Sequence, residues 1–581
     1  MPDYCPTKSC CPEKFLGGPD FFAANFLLSV VSSPHTDTDF HMATIINQRL
    51  GKLRALVVDD MANMRQNIRI QIGQLGIPNV DQAGTPDEAI SLIRRHHYDV
   101  VICDYNLNRE TNGQQLLEHL RSQRILPAAA MFIMVTAESS YDLVASAAEF
   151  EPDAYLVKPL TGSRLLDRIE RLLDRQAALR PVADRLQLKD VAGAVDECDR
   201  VLQGAPKWGL DALRIKGNAL LELGKPEEAM DAYRKALRVR DDLVWAKLGI
   251  ARCHHAAGQM EEARTAAADI IENNARYIPA YDLLARVAEA EGNEREVLEV
   301  LNQSYEVIPS ARRSRMVGDA AYRNGDLELA ASSFGKALQH TRGSLTAQPS
   351  DLLALAQVHV DAGAPDLALQ ALASAPRHYA ETPAFAATEA ALQAQAHAAR
   401  GDSAAAEAAY QSARGLADTT RGDAAVLALA KAAFSLGRDE EGSALLSSAV
   451  KADHENARTI SLARKVLRDA GKEALTGEVV DGAMNQVATV LAEANALMRK
   501  ARFDESLAEL ERALQALPEN TAVLLAAAQL YLLWMSQKGL NLDYVAKVNA
   551  YLAKLDLLLP GNERVFKMYR FMRETLSRAG K

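Results

Sequence analysis

A unit of about 34 residues recurs through residues 177–581, and it constrains the fold more than any other feature of the sequence. Each copy is marked by a glycine followed five residues later by a small residue: Gly224/Ala229, Gly258/Ala263 and Gly292/Val297, spaced 34 and 34. Further matches fall at Gly325/Ala330, Gly363/Ala368, Gly401/Ala406 and Gly437/Gly442, and a late copy at Ala501–Asn520. The pattern between the marks has the helical period, and no strand-like alternation interrupts it. A helix pair of this size cannot bury its apolar face alone, so successive copies must stack into a solenoid. There is room for eleven or twelve copies, of which about nine to eleven are recognisable. Weaker stretches, notably Thr459–Asn495, are read as longer helices.

The copy LRIKGNALLELGKPEEAMDAYRKAL shows how such a unit gains a core. Gly217, Ala229 and Ala236 are small, while Leu213, Leu220 and Tyr233 are large. Small residues let two antiparallel helices approach, and the large ones fill the facing holes. The first helix is expected to run to about Leu223, with Gly224 at the turn. Heavy use of alanine, as between Ala384 and Ala409, and an aromatic share of only 6% suit helices stacked closely rather than sheets. Trp208, Trp245 and Trp534 read as core anchors, and the aromatic C-terminal stretch as a hydrophobic cap. His254 and His255, adjacent on a helix, point apart and are not read as metal ligands.

The chain before this array follows another grammar. From Leu53, short apolar runs alternate with helical segments: LRALVV then Asn63–Leu75, VDQAG then Pro86–Arg95, DVVIC then Gly113–Ser122, AMFIMV then Ser139–Ala148, AYLV then Thr161–Leu173. Five strand–helix units predict a parallel sheet with helices on both faces. Ligands then bind outside the carboxyl ends of the strands. Asp59 and Asp60 end the first strand, Asp104 the third and Thr136 the fourth, while Lys158 follows the fifth. Taken singly, an acidic pair after a strand is as readily a helix cap, with Asp60 serving the helix near Asn63, and Lys-Pro is a turn. Together they bring three carboxylates, a hydroxyl and an ammonium to one rim. Such carboxylates repel, and a hard cation relieves this better than protonation at neutral pH. Mg²⁺ fits, because it takes a few carboxylates and keeps waters for an incoming phosphate. The set suits phosphoryl transfer, with Asp104, central in the sheet, as the nucleophile.

These residues resemble the receiver (CheY-like) domain of two-component response regulators, over residues 52–176. The resemblance implies a flavodoxin-like α/β fold and an aspartyl phosphate on Asp104, taken from a sensor histidine kinase or a phosphotransfer protein. It also implies Mg²⁺ held by Asp59, Asp60, Asp104 and the backbone carbonyl of Asn106. Thr136 would hydrogen-bond the phosphoryl group, Lys158 would pair with it, Tyr155 would turn inward, and small Ala137 would leave the acyl phosphate reachable. One departure stands out: the loop after Asp104, YNLNRETNG, lacks the family's usual proline and reaches Gly113 one residue late. The expected switch surface is Ser139–Ala148, Ala154–Val157 and Thr161–Leu173. The repeats of residues 177–581, with Gly217, Gly224, Ala229, Tyr233, Ala236, Gly258, Ala263 and Gly292 as defining positions, resemble the tetratricopeptide repeat (TPR). That likeness implies an all-α solenoid with a concave surface for a protein or peptide.

Other features narrow the function. A net charge of −10 lacks the footprint of a nucleic-acid binder. Six cysteines make no disulfide framework, which suits a reducing, cytoplasmic setting. The longest apolar run, Thr521–Ser536, contains Gln529 and is too short to cross a bilayer, so no membrane contact is expected. Residues 1–50 lack a sustained period and read as a poorly ordered tail. Met42 opens a stretch running smoothly into the first strand, so residues 1–41 are read as an upstream extension. Cys5, Cys10, Cys11 and His35 lack the paired spacing of a zinc site. The sequence predicts a non-enzymatic, phosphorylation-switched interaction regulator. The alternatives are a phosphate sink or kinase-inhibiting scaffold, then a DNA-binding regulator or a hidden enzymatic output, for which no cyclase, phosphodiesterase, nucleophile-elbow or P-loop signature is found. A spacer or homodimerisation arm is the alternative for the solenoid.

Overall fold

The computed structural model of the chain describes residues 49–107, 112–123, 125–127, 129–137, 152–188, 190–342, 347–417, 423–559 and 563–579. The tail up to residue 48 and the expected helix Ser139–Ala148 lie outside the described residues. Five parallel strands form one sheet: β1 (Arg54–Val58), β2 (Asn79–Ala83), β3 (Val100–Asp104), β4 (Met131–Thr136) and β5 (Ala154–Val157), in the order β2-β1-β3-β4-β5. β3 and β4 are buried along their whole length, as continuous apolar runs between two helical layers must be. One core cluster gathers Val57, Ile102 and Ile133 with Ile72 and Ile169; the other gathers Leu56, Val101 and Phe132 with Ile90 and Leu117.

Two receiver helices begin where capping side chains place them. Thr85 Oγ1 accepts from the Glu88 amide at 3.2 Å ahead of Pro86–Arg95, and Asn112 forms a reciprocal box with Gln115 ahead of Gly113–Ser122. Gly113 sits so close to the end of β3 that a Cβ there would lie 2.3 Å from the Asp104 carbonyl oxygen. The helix expected at Thr161–Leu173 is longer, running from Gly162 to Gln187 and out of the sheet domain into the repeats. Its second half buries Leu179 and Val182 against Ala194, Cys198 and Trp208 of the first helical layer. Arg175 of this helix pairs with Asp153 (3.8 Å) and with Asp211 (2.7 Å), joining the sheet domain to the solenoid.

From Val191 on, paired helices stack to the end of the described chain. The best sequence copy becomes helices Gly209–Glu222 and Pro226–Val239, with Gly217, Ala229, Tyr233 and Ala236 buried between them. Each marker glycine from Gly224 (φ +66°) to Gly437 (φ +71°) closes a first helix in the left-handed conformation. Gly471 (φ +68°) adds a member that the sequence pattern misses. It splits Thr459–Asn495, which is therefore no single longer helix: Ala457–Asp469 and Gly482–Arg499 are separated by short 3₁₀ and π turns. Between distant repeats, Arg458 meets Asp319 at 2.9 Å and the Lys465 ammonium lies 4.7 Å from the Tyr322 ring centre. The C-terminal aromatics Tyr531, Tyr544, Tyr551, Tyr569 and Phe571 share one core cluster that caps the stack. Of the three tryptophans, Trp208 is buried, whereas Trp245 and Trp534 are only partly so. His254 bonds Gln259 at 2.7 Å rather than its neighbour. No helix among the described residues is long and apolar enough to cross a membrane.

Candidate functional site

All five strands run the same way, so their carboxyl ends share one rim. The register fixes which residues meet there: Val58 lies beside Cys103, Asp104 beside Val135, and Thr136 beside Val157. Asp59 follows β1 and is 1% exposed, Asp104 closes β3 at 7%, and Thr136 closes β4 at 4%, while Asp60 is exposed to solvent. Carboxylate oxygens of Asp59, Asp60 and Asp104 lie within 4.8 Å of one another. Lys158, immediately after β5, places Nζ 3.0 Å from Asp104 Oδ1 and 3.3 Å from Asp59 Oδ2.

The local backbone aims these groups. The Met61 amide donates to Asp59 Oδ1 at 2.8 Å, turning the chain into helix Ala62–Gln74. The cap expected of Asp60 is not made: Met61 is the N-cap residue, and Asp60, two residues before the helix begins, keeps its carboxylate at the rim. Arg65, one turn into that helix, donates Nη1 to the Asp59 carbonyl at 2.5 Å, a support that strand-end reasoning passes over. Asn106 is exposed two residues beyond Asp104, Ala137 is exposed just after Thr136, and Tyr155 is half-buried on β5 against the core. Of the expected switch surface, β5 and the helix from Gly162 are described.

The electrostatics follow from crowding. Burial pushes the Asp104 carboxyl above its ordinary range, Lys158 opposes this, and the charges of Asp59 and Asp60 add to it. Burial works against the charged Lys158, but its hydrogen bond to Asp104 and the charges of Asp104 and Asp59 outweigh it and raise its pKa. Burial likewise raises the Cys103 thiol, which donates to the Asp104 carbonyl at 3.3 Å and stays an apolar filler. One ammonium against three carboxylates leaves an excess of negative charge, and the oxygen donors suit a hard divalent cation. Asp59, Asp60 and Asp104 would hold it, and it would neutralise charge on these groups and on a phosphoryl group beside them.

Residues 55–170 match the response regulator receiver domain, and residues 220–287 match a tetratricopeptide repeat. Neither is a catalytic family. The chain is 27% identical over 134 residues to the chemotaxis protein CheY-3 of Vibrio cholerae serotype O1, covering 23% of this chain and 99% of that protein. It is 31% identical over 123 residues to the chemotaxis protein CheY of Pseudomonas aeruginosa, covering 21% of this chain and 98% of that protein. Among solved structures, the MamA protein aligns at 20% identity over 29% of this chain and 91% of that one, with a TM-score of 0.24. A thermophilic TPR protein from Thermus thermophilus aligns at 17% identity over 32% of this chain and 98% of that one, with a TM-score of 0.26. With a five-stranded parallel sheet, an alignment that covers nearly the whole length of these CheY proteins and stacked helical repeats behind it, the chain belongs to the response regulator receiver family and joins its receiver to a TPR solenoid.

Proposed function

We propose that this protein is the response regulator of a phosphorelay in which Asp104 takes a phosphoryl group from a sensor histidine kinase or a phosphotransfer protein. The observation that carries this reading is Lys158 Nζ set between Asp104 Oδ1 and Asp59 Oδ2 at 3.0 and 3.3 Å. As a new O–P bond forms at the Asp104 carboxylate, the donor's N–P bond breaks and its nitrogen recovers the electron pair. Lys158 and Thr136 stabilise the transferring oxygens, Ala137 leaves the acyl phosphate open to water, and Tyr155 fills the space behind Thr136. Asp59, Asp60, Asp104 and the Asn106 carbonyl are the ligands assigned to Mg²⁺. The protein assists only its own phosphorylation and dephosphorylation.

Residues 52–176 form the receiver in this reading, residues 177–581 the interaction module, and residues 1–50 a tail. Phosphorylation adds about −1.5 to −2 charges at the rim. Moving a two-state receiver from mostly inactive to mostly active takes about 5.5 kcal/mol, within reach of a charge-assisted pair plus a metal bridge. The solenoid then presents a protein partner with a changed surface. The test is incubation with acetyl phosphate and Mg²⁺ followed by a phosphate-affinity gel. Wild type shows an acid-stable, base-labile shifted band, and both Asp104→Asn and omission of Mg²⁺ abolish it. Labelling that persists in Asp104→Asn rules the assignment out.

A further inference from the structure

The inner helices of the first repeats enclose a cavity of about 450 Å³ lined by five arginines, Arg214, Arg252, Arg286, Arg312 and Arg313, against a single carboxylate, Asp282. In a chain of net charge −10, that is a local reversal of sign. Asp282 is committed to Arg313, with Oδ2 accepting from Nη2 at 2.9 Å. Among the described residues, neither Arg252 nor Arg286 has a carboxylate within ion-pair distance, and the Arg252 Nε is buried without an acceptor. Burial and the neighbouring charges of Arg286 and Arg214 lower the Arg252 pKa; burial and Arg313 lower that of Arg312 to about 10. Guanidinium groups held together and partly out of water in this way are stabilised by an anion that returns their hydrogen bonds.

The chain itself shows which anion these groups accept. Arg313 holds the Asp282 carboxylate through two contacts from its guanidinium. The groove also carries an aromatic wall: Tyr233 packs edge-on to Trp245 at 6.2 Å, and the Arg214 guanidinium lies 5.7 Å from the Trp245 ring centre. A cavity of this size admits one or two acidic side chains of an extended peptide. A long nucleic acid would instead run across the acidic remainder of the surface.

We propose that this groove binds an acidic peptide segment of a partner protein. The inference rests on reading the solenoid as a protein-binding surface and names the chemistry of that partner. The test uses the full-length protein and a fluorescein-labelled peptide of three Asp-Glu pairs, with the matching Asn-Gln peptide and a single-stranded oligothymidylate as comparisons, by fluorescence anisotropy. The acidic peptide is expected to bind and the neutral one not, with affinity falling as ionic strength rises. Arg252→Gln and Arg286→Gln are each expected to weaken binding about tenfold. Arg286 is exposed, so its variant tests the groove without disturbing the fold. Equal binding of both peptides, arginine variants that leave Kd unchanged, or tighter binding of the oligonucleotide would overturn the proposal. Phosphoryl uptake at Asp104, read in the same preparations, reports on the phosphorelay separately, so failure of either reading is visible without the other.

Discussion

Replacing Gly217 with alanine tests how the repeats hold together. The Tyr233 ring is wedged between helix Gly209–Glu222 and helix Val244–Ala256, facing Gly217 on one and Gly249 on the other. A Cβ at Gly217 would stand 2.5 Å from Tyr233 Cζ and 2.6 Å from Cε1, and one at Gly249 would stand 2.5 Å from both atoms. The ring has no room to retreat: it is 1% exposed, its hydroxyl donates to Asn218 Oδ1 at 2.7 Å, and Trp245 lies against it. On an open helix, Gly→Ala gains about 1 kcal/mol of propensity. Here overpacking costs about 1–3 kcal/mol, and losing the Tyr233 hydrogen bond about 1 more, so Gly217→Ala is expected to destabilise its repeat by about 1–3 kcal/mol. Tyr233→Ala alone opens a cavity and costs about 3–5 kcal/mol. In that background the new methyl group has space, and Gly217→Ala should turn stabilising by about 1 kcal/mol, a change of sign that gives a coupling of about 2–4 kcal/mol. A chain of two unlike units does not unfold in one step, so the readout is hydrogen exchange of peptides from residues 209–222 and 226–239. Slower exchange in Gly217→Ala on the wild-type background, or additive effects in the double variant, would refute the steric account.

Two further outcomes follow from paired charges. Asp351 is fully buried and takes Arg315 through two contacts, one of 2.7 Å from Nη2 to Oδ2; Asp351→Ala should cost about 3–5 kcal/mol by leaving the guanidinium unpaired, and adding Arg315→Met should recover much of it, measured as local exchange rates in helix Pro349–Asp361. On the sheet, burial pushes the Asp81 carboxyl up, but hydrogen bonds from Tyr98 and Arg54 outweigh it and hold it below its ordinary range. A depressed folded-state pKa means stability present above about pH 4 and lost as pH falls through the lower, folded value, so Asp81→Asn should flatten the acid limb of the receiver's thermal-stability profile, and an unchanged limb would count against this triad.

How far the sequence foretells this molecule depends on how local the determining contacts are. The strands were legible because β3 and β4 are apolar up to their closing Asp104 and Thr136, and Pro86–Arg95 and Gly113–Ser122 were legible because Thr85 and Asn112 carry their own caps. The rim was legible for a topological reason: in a parallel sheet every strand end faces the same way, so residues distant in sequence meet without any knowledge of side-chain packing. Helix Gly162–Gln187 overran its expected end because Leu179 and Val182 find cover only once the first repeat stacks on them, a contact that no local pattern contains. Gly471 escaped for a related reason, since Thr476 stands where the pattern asks for a small residue and the turn after it is rebuilt with 3₁₀ and π geometry. The arginine groove is the extreme case. Arg252 and Arg286 occupy equivalent places in successive repeats and could have been aligned, but Arg214, Arg312 and Arg313 join them only through the angle at which repeats stack. A repeat period therefore says which residues share a place within each unit. The superhelix, set by packing between units, says which of them share a site, and the acidic-peptide groove belongs to that second level.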